Sequence, residues 1–290
     1  MSEYERAKPV LVETMAARGF SPRTQRTYVD ALRHFDGFVP DLPLEQVSPQ
    51  HLIEYQRHLA RRGVSFSAFN IETCALRFFY RDCLGRTEWD YSRIPFQKKP
   101  RRLPEVLSEQ EALALIEAAP NPKYRAVFMT GYGCGLRLSE IQALRPAHID
   151  AGRMVLRVEQ GKGRKDRYVM LPERLLPELR AYWRRYRPQV YLFEGKYPGR
   201  PVSQRSVSEA LAFARKQAGI SKHVTMHSLR HAFGTHLLES GVNVRVIQAL
   251  LGHRSLTTTQ IYVHLARTYL AETKSPLDRG VDKKEDGSKT

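Results

Sequence analysis

Apolar positions recur at helical spacing through the first third of the chain. Tyr28, Leu32 and Phe35 fall on one face behind Ser21-Pro22, a serine cap with proline at the first helical position. Ser48-Pro49 predicts a second start, with Leu52, Tyr55 and Leu59 on the apolar face and Gly63 as the stop. Ser65 to Cys83 predicts a further helix rich in aromatics, and Phe66, Phe69, Phe78, Phe79 and Tyr80 read as core. Residues 1–94 are thus expected to form a helical bundle. Its polar faces carry Arg23, Arg26, Arg57, Arg61, Arg62, Arg77 and Arg81, side chains suited to phosphate contact.

The pattern breaks at residues 95–104, PFQKKPRRLP, where three prolines and four basic residues disfavour a packed element. The expectation is an extended, basic interdomain linker. A second domain, 105–270, then opens on Ser108-Glu109-Gln110-Glu111, a capping-box pattern. It predicts helices to Ala118, from Lys123 to about Gly131, and over Ser203–Ala218, Ser228–Ser240 and Val244–Leu251. Asn243 caps the last of these and Gly252 ends it. Residues 153–159 and 167–171 alternate in strand fashion around the basic turn QGKGRKD, predicting a small antiparallel sheet. The polar tail, 271–290, is expected to be disordered.

The formal charge is +17, and the last twenty residues hold as many acidic as basic side chains. The whole excess therefore lies in the body of the chain, as a partner rich in phosphate would require. Cys74, Cys83 and Cys134 fit neither a metal spacing nor an even disulfide framework, so they read as small buried thiols of a reducing compartment. The amino terminus has no apolar signal region and no long apolar run follows, which argues against secretion and membrane insertion.

Six side chains in order carry the candidate chemistry. They are Arg137 in Gly-Leu-Arg-Leu-Ser-Glu, Lys162 in Gly-Lys-Gly, His227 and Arg230 in His-Ser-Leu-Arg-His, His253 in Leu-Gly-His and Tyr262 in Ile-Tyr-Val-His. Together they suit attack on a phosphodiester. A tyrosine can act as nucleophile if cations or a base assist it, since a free phenol titrates near about 10. Arginine forks can hold the non-bridging oxygens and favour the more negative transition state. Lys162 can protonate a departing sugar oxygen, with Lys165 as its competitor. His227 and His253 can donate hydrogen bonds to phosphate or handle the tyrosine proton. A rival reading of His227 and His231, four residues apart, is a metal site, though no HExxH pattern or cysteine pair accompanies them.

The order and context of these residues resemble the tyrosine recombinases, the lambda-integrase family, and especially its compact Xer-like and mobile-element integrases. The resemblance spans roughly residues 5–270 and is most specific over 225–264. It implies a mainly α fold: a two-domain DNA clamp with an N-terminal helical bundle and an α-rich catalytic domain holding a small antiparallel sheet. It implies cutting and rejoining of duplex DNA through a 3′-phosphotyrosyl intermediate and a Holliday junction, with no metal, ATP or other cofactor. Arg137, Lys162, His227, Arg230, His253 and Tyr262 would be the catalytic set, with Glu140 orienting the first arginine. The implied partners are double-stranded DNA and a homotetramer on two DNA sites, or a tetramer shared with a paralogous recombinase. The implied location is the cytoplasm, on the nucleoid. Residues Leu265 to Leu270 would dock on a neighbouring protomer. Two other readings share parts of the pattern: a type IB topoisomerase and a non-catalytic DNA-binding regulator.

Overall fold

The computed structural model describes residues 3–98, 105–159 and 166–252, together with Ser275 and Leu277. The chain divides into two compact units, Met1–Leu103 and Pro104–Thr290.

The first unit is built from α1 (Glu3–Ala17), α2 (Pro22–Asp36), α3 (Pro49–Arg61) and α4 (Phe66–Phe78), with a π-helical turn over Phe79–Cys83. Local chemistry sets the starts. The Ser21 hydroxyl accepts from the Thr24 amide at 3.1 Å and the Ser65 hydroxyl from Ala68 at 3.2 Å. Leu11, Met15, Leu32, Phe35, Leu52, Tyr55, Leu59, Phe69 and Leu76 form the core, each large apolar group contributing about 1.5–3 kcal/mol. Phe78, Phe79 and Tyr80 are buried as expected, whereas Phe66 is only half-buried.

Two expectations for this unit change. Residues 95–98, assigned to a linker, are pinned to the bundle. The Pro95 carbonyl accepts from Gln56 at 2.9 Å, and the Gln97 amide donates to Asn70 at 2.9 Å. Arg77, grouped with the phosphate-facing arginines, lies half-buried over the rings of Tyr91 and Phe96. Arg23, Arg26, Arg57, Arg61, Arg62 and Arg81 are exposed, though Arg81 is paired with Asp82 at 2.9 Å. The remainder of the expected linker, 99–104, lies outside the described residues.

The second unit comprises α5 (Glu109–Glu117), α6 (Pro122–Gly133), α7 (Leu138–Ala143), a sheet, then α8 (Leu175–Tyr186), α9 (Gln204–Gln217), α10 (Met226–Glu239) and α11 (Val244–Leu251). The Ser108 box closes in both directions: Glu111 accepts from the Ser108 amide at 2.7 Å, and the Ser108 hydroxyl accepts from the Glu111 amide at 3.1 Å. The sheet runs β1 (Ile149–Asp150), β2 (Val155–Val158), β3 (Arg167–Met170), all antiparallel, with Val158 opposite Arg167. β2 and β3 are the two strands expected from the alternation, β2 starting two residues later and ending one earlier, and β3 ending one residue earlier.

Helix α6 is buried continuously from Ala126 to Gly133, so it is the central element on which α5, α8 and α10 pack. Its end decides the geometry of everything downstream. Gly135 has φ 62°, and a Cβ there would overlap the Phe233 ring of α10. The chain therefore turns sharply under α10 before it reaches Leu136 and Arg137.

The tail corrects a third expectation. Residues 271–290 were read as disordered, yet Ser275 and Leu277 are buried in the second unit's core. The Ser275 hydroxyl donates to the Gly133 carbonyl at 3.0 Å, and Arg174 donates to the Leu277 carbonyl at 2.6 Å. Leu265 to Leu270, expected to dock on a neighbour, lie outside the described residues.

Gly135→Ala should destabilise the protein by about 1–3 kcal/mol, through left-handed strain and the clash with Phe233. Denaturant unfolding of both proteins measures it. An unchanged midpoint would mean that α10 does not depend on this close approach.

Candidate active site

Arg137 is the cap residue of α7, directly after the Gly135 turn and the fully buried Leu136. Glu140 sits at the third helical position and reaches back, accepting the Arg137 amide at 2.9 Å and an Arg137 Nη at 2.9 Å. One carboxylate thus fixes both the backbone and the side chain of that arginine. Glu140 is itself only 7% exposed, so it needs these donors.

Arg230 comes from α10, one turn after His227. It is 2% exposed, and its two terminal nitrogens donate to the carbonyls of Gly135 (2.6 Å) and Leu251. The first acceptor is the carbonyl that the left-handed turn presents. The second ends α11, just before Gly252, which is again left-handed at φ 62°. Arg230 also lies 3.7 Å from Glu140.

A third arginine completes the cluster, and the sequence reading did not single it out. Arg167 begins β3 and donates from both terminal nitrogens to the two Glu140 oxygens, each at 2.9 Å. Its Nε donates to the Leu250 carbonyl at 2.9 Å. Strand alternation was the available signal. Arg167 shares the face of buried Val169 while Tyr168 points outward, and an arginine turned inward calls for a carboxylate.

Three guanidiniums therefore meet one carboxylate, and the centre keeps an excess of positive charge. Burial pushes the Glu140 carboxyl up, but the bonds and charge of Arg167 and the charge of Arg137 outweigh it, so it stays below the usual carboxylate range. Burial and the neighbouring Arg137 push Arg230 down to about 10, Glu140 opposing and Arg167 adding; it stays protonated at neutral pH. His227 is exposed and close enough to feel the cluster. Burial of part of the ring, then Arg230, His231 and Arg137, lower its pKa below the ordinary value.

The structure thus brings Arg137, at the start of α7, together with Arg230 and His227 of α10. Lys162, His253 and Tyr262, and the competitor Lys165, lie outside the described residues. The residues on either side of 160–165 are described: Arg157 on β2 pairs with Asp166 at 3.0 Å and with Glu159 at 3.2 Å. The described arrangement can hold an anion with fixed donors, and beside it lies the imidazole of His227, whose pKa is lowered. Among the described residues, no group of three histidine, cysteine or acidic side chains is placed to hold a metal. Nor is any described helix long and apolar enough to cross a membrane.

Comparison with known proteins shows the family of the chain. Residues 105–268 match the phage integrase family and residues 10–90 match the phage integrase N-terminal SAM-like domain. The protein y4qK of Sinorhizobium fredii is 44% identical over 271 residues, 92% of this chain and 86% of that one. The tyrosine recombinase XerA of Pyrococcus furiosus is 34% identical over 261 residues, 88% of this chain and 87% of that one. A lambda integrase tetramer bound to a Holliday junction shares the fold, with a TM-score of 0.69 at 19% identity over 90% of this chain and 76% of that one. The chain belongs to the phage integrase family. Within it, the chain is a tyrosine-type site-specific recombinase.

Because part of its ring is buried and Arg230, His231 and Arg137 lie close to it, His227 should titrate below the ordinary histidine value. A ring harder to protonate when folded adds stability above its unfolded pKa, and that stability is lost as pH falls through the folded value. His231→Gln removes one of those neighbours and should move the midpoint upward. Ring-resolved NMR titration checks both, and a wild-type midpoint at or above the ordinary value would contradict the electrostatic picture.

Proposed function

We propose that the chain cuts and rejoins duplex DNA at a specific site through a covalent phosphotyrosine, with Tyr262 as nucleophile. The observation that carries this reading is the cluster of Arg137, Arg167 and Arg230 around the buried Glu140, which leaves net positive charge beside His227.

In the proposed step the Tyr262 oxygen attacks the scissile phosphorus and the bond to the 5′-oxygen breaks. Arg137 and Arg230 hold the non-bridging oxygens, where charge grows in the transition state. His227 and His253 hydrogen-bond the phosphate or take the phenol proton, and Lys162 gives a proton to the departing 5′-oxygen. Resealing is the reverse: a 5′-hydroxyl attacks the phosphotyrosine, gives up its proton and releases the tyrosine. The ester conserves the bond energy, so neither ATP nor a metal ion is required.

Residues 1–94 would bind DNA as the first domain, and their exposed Arg23, Arg26, Arg57, Arg61 and Arg62 supply suitable charge. Residues 105–270 would be the catalytic domain, the two closing as a clamp around the duplex. Exchange of strands between two sites would proceed on a tetramer through a Holliday junction, the assembly in which the lambda integrase relative was solved. A paralogue taking some of the four places is a variant of the same proposal, and the nucleoid is the expected location.

The leaving-group assignment is open to direct chemistry. Lys162→Ala should cleave poorly at an ordinary phosphate but regain cleavage where sulfur replaces the bridging 5′-oxygen, because a thiolate departs without a proton. Tyr262→Phe should form no covalent product on either substrate while still binding DNA. Gel-resolved adduct formation reads both, and failure of sulfur to rescue Lys162→Ala would move the acid elsewhere, Lys165 first.

A further inference from the structure

The proposed mechanism leaves Arg167 without a task, yet it is among the most constrained side chains in the described site. It is 13% exposed on its side chain and forms a two-point fork on Glu140. Its Nε holds the Leu250 carbonyl, one residue before the Leu251 carbonyl that Arg230 holds. A Cβ on Gly252 would come within 3.2 Å of the Arg167 guanidinium, so the chain passes directly over this fork as it leaves α11. Arg167 also opens β3 opposite Val158, the last residue of β2, and the segment that contains Lys162 lies between these two in the chain.

Charge accounting gives the fork a purpose. Glu140 is needed to set the Arg137 backbone and side chain, but a buried carboxylate also attracts every nearby cation. Without Arg167, both Glu140 oxygens would lose a donor. The Arg230 nitrogen, now 3.7 Å from Glu140, is the nearest replacement. Moving onto Glu140 would draw Arg230 off the Gly135 carbonyl and lower the positive charge the site offers an anion.

We propose that Arg167 is a positioning residue for strand cleavage: it is the dedicated counter-ion of Glu140, keeping the charge of Arg137 and Arg230 available to the scissile phosphate, and it fixes the end of α11 that leads to His253. The proposal rests on the phosphodiester-cleaving function and extends it to a residue outside the six-member set. Arg167 acts through Glu140 and α11 and does not touch the phosphate.

The test uses the full-length protein and a duplex recovered from its own covalent adduct, nicked beside the cleavage point so that product cannot reseal. Single-turnover adduct formation, DNA affinity and the thermal midpoint are measured for wild type, Arg167→Ala, Arg167→Lys, Glu140→Gln and the Glu140→Gln/Arg167→Ala double variant. Arg167→Ala should slow adduct formation at saturating DNA by on the order of 10- to 100-fold, with affinity little changed. Arg167→Lys, which keeps the charge without the fork, should recover part of the rate. The double variant should be no slower than Arg167→Ala alone, because the carboxylate that needs a counter-ion is gone. The deciding readout is a duplex with a neutral methylphosphonate at the scissile position. Cleavage there needs less positive charge, so the ratio of wild-type to Arg167→Ala rates should shrink markedly.

Equal slowing on both substrates would make Arg167 a purely structural residue and overturn the proposal. So would equal loss of affinity and rate, additive effects in the double variant, or wild-type cleavage by Arg167→Ala. Absence of any adduct from the wild type would instead remove the cleavage reading itself, and this proposal with it. Should Arg167→Ala not fold, Arg167→Lys is judged by the same ratio on the two substrates.

Discussion

The Glu140 carboxylate, almost out of reach of water, accepts the Arg137 amide, an Arg137 Nη and both ends of the Arg167 fork. A carboxylate so placed would be costly alone, and removing one partner of a buried pair costs about 3–5 kcal/mol. Here the surrounding cations outnumber it. The balance therefore runs opposite to an ordinary structural ion pair, in which charges cancel. The described cluster holds Arg137 and Arg230 in place while leaving them under-neutralised. An anion is the natural complement, and the phosphodiester of DNA supplies one.

The fold serves this cluster by bringing four chain segments to one point. Helix α6 ends on the left-handed Gly135, whose missing side chain lets α10 approach and presents a carbonyl to Arg230. Helix α7 starts on Arg137 and offers Glu140 one turn later. Strand β3 contributes Arg167, and α11 points its terminal carbonyls at Arg167 and Arg230. The charged centre and the packed core are thus coupled: Phe233 lies against the Gly135 turn, and Leu229 beside Arg230 is fully buried. A change in core volume there reaches the site through backbone carbonyls.

Much of this was legible in the chain, and the reasons are local. Ser21, Ser65 and Ser108 cap helices with their own hydroxyls, so the starts could be read from a few neighbouring residues. Asn243 and Gly252 bracket α11 for the same reason. Other features depend on distant partners. Helix α8 begins on Arg174 without a side-chain cap and gave no start signal. Leu277 looked like part of a polar tail, but it is buried beside Gly133, Pro172 and Arg174, which sequence order does not bring together. Arg167 stood among several basic residues near the hairpin, and only Glu140, far away in sequence, distinguishes it. Arg137, His227 and Arg230 could be named from their motifs. That one carboxylate organises the arginines could not.

In the proposed mechanism this under-neutralised arginine centre stabilises the charge that grows on the phosphate as Tyr262 attacks, without help from a Lewis acid. Peptide mapping of the covalent protein–DNA adduct, trapped in excess chelator, tests it most directly. The account predicts adduct at undiminished yield, with the nucleotide mass on the peptide that contains Tyr262. A nucleotide on any other residue, or an adduct that forms only when a divalent ion is restored, would contradict it.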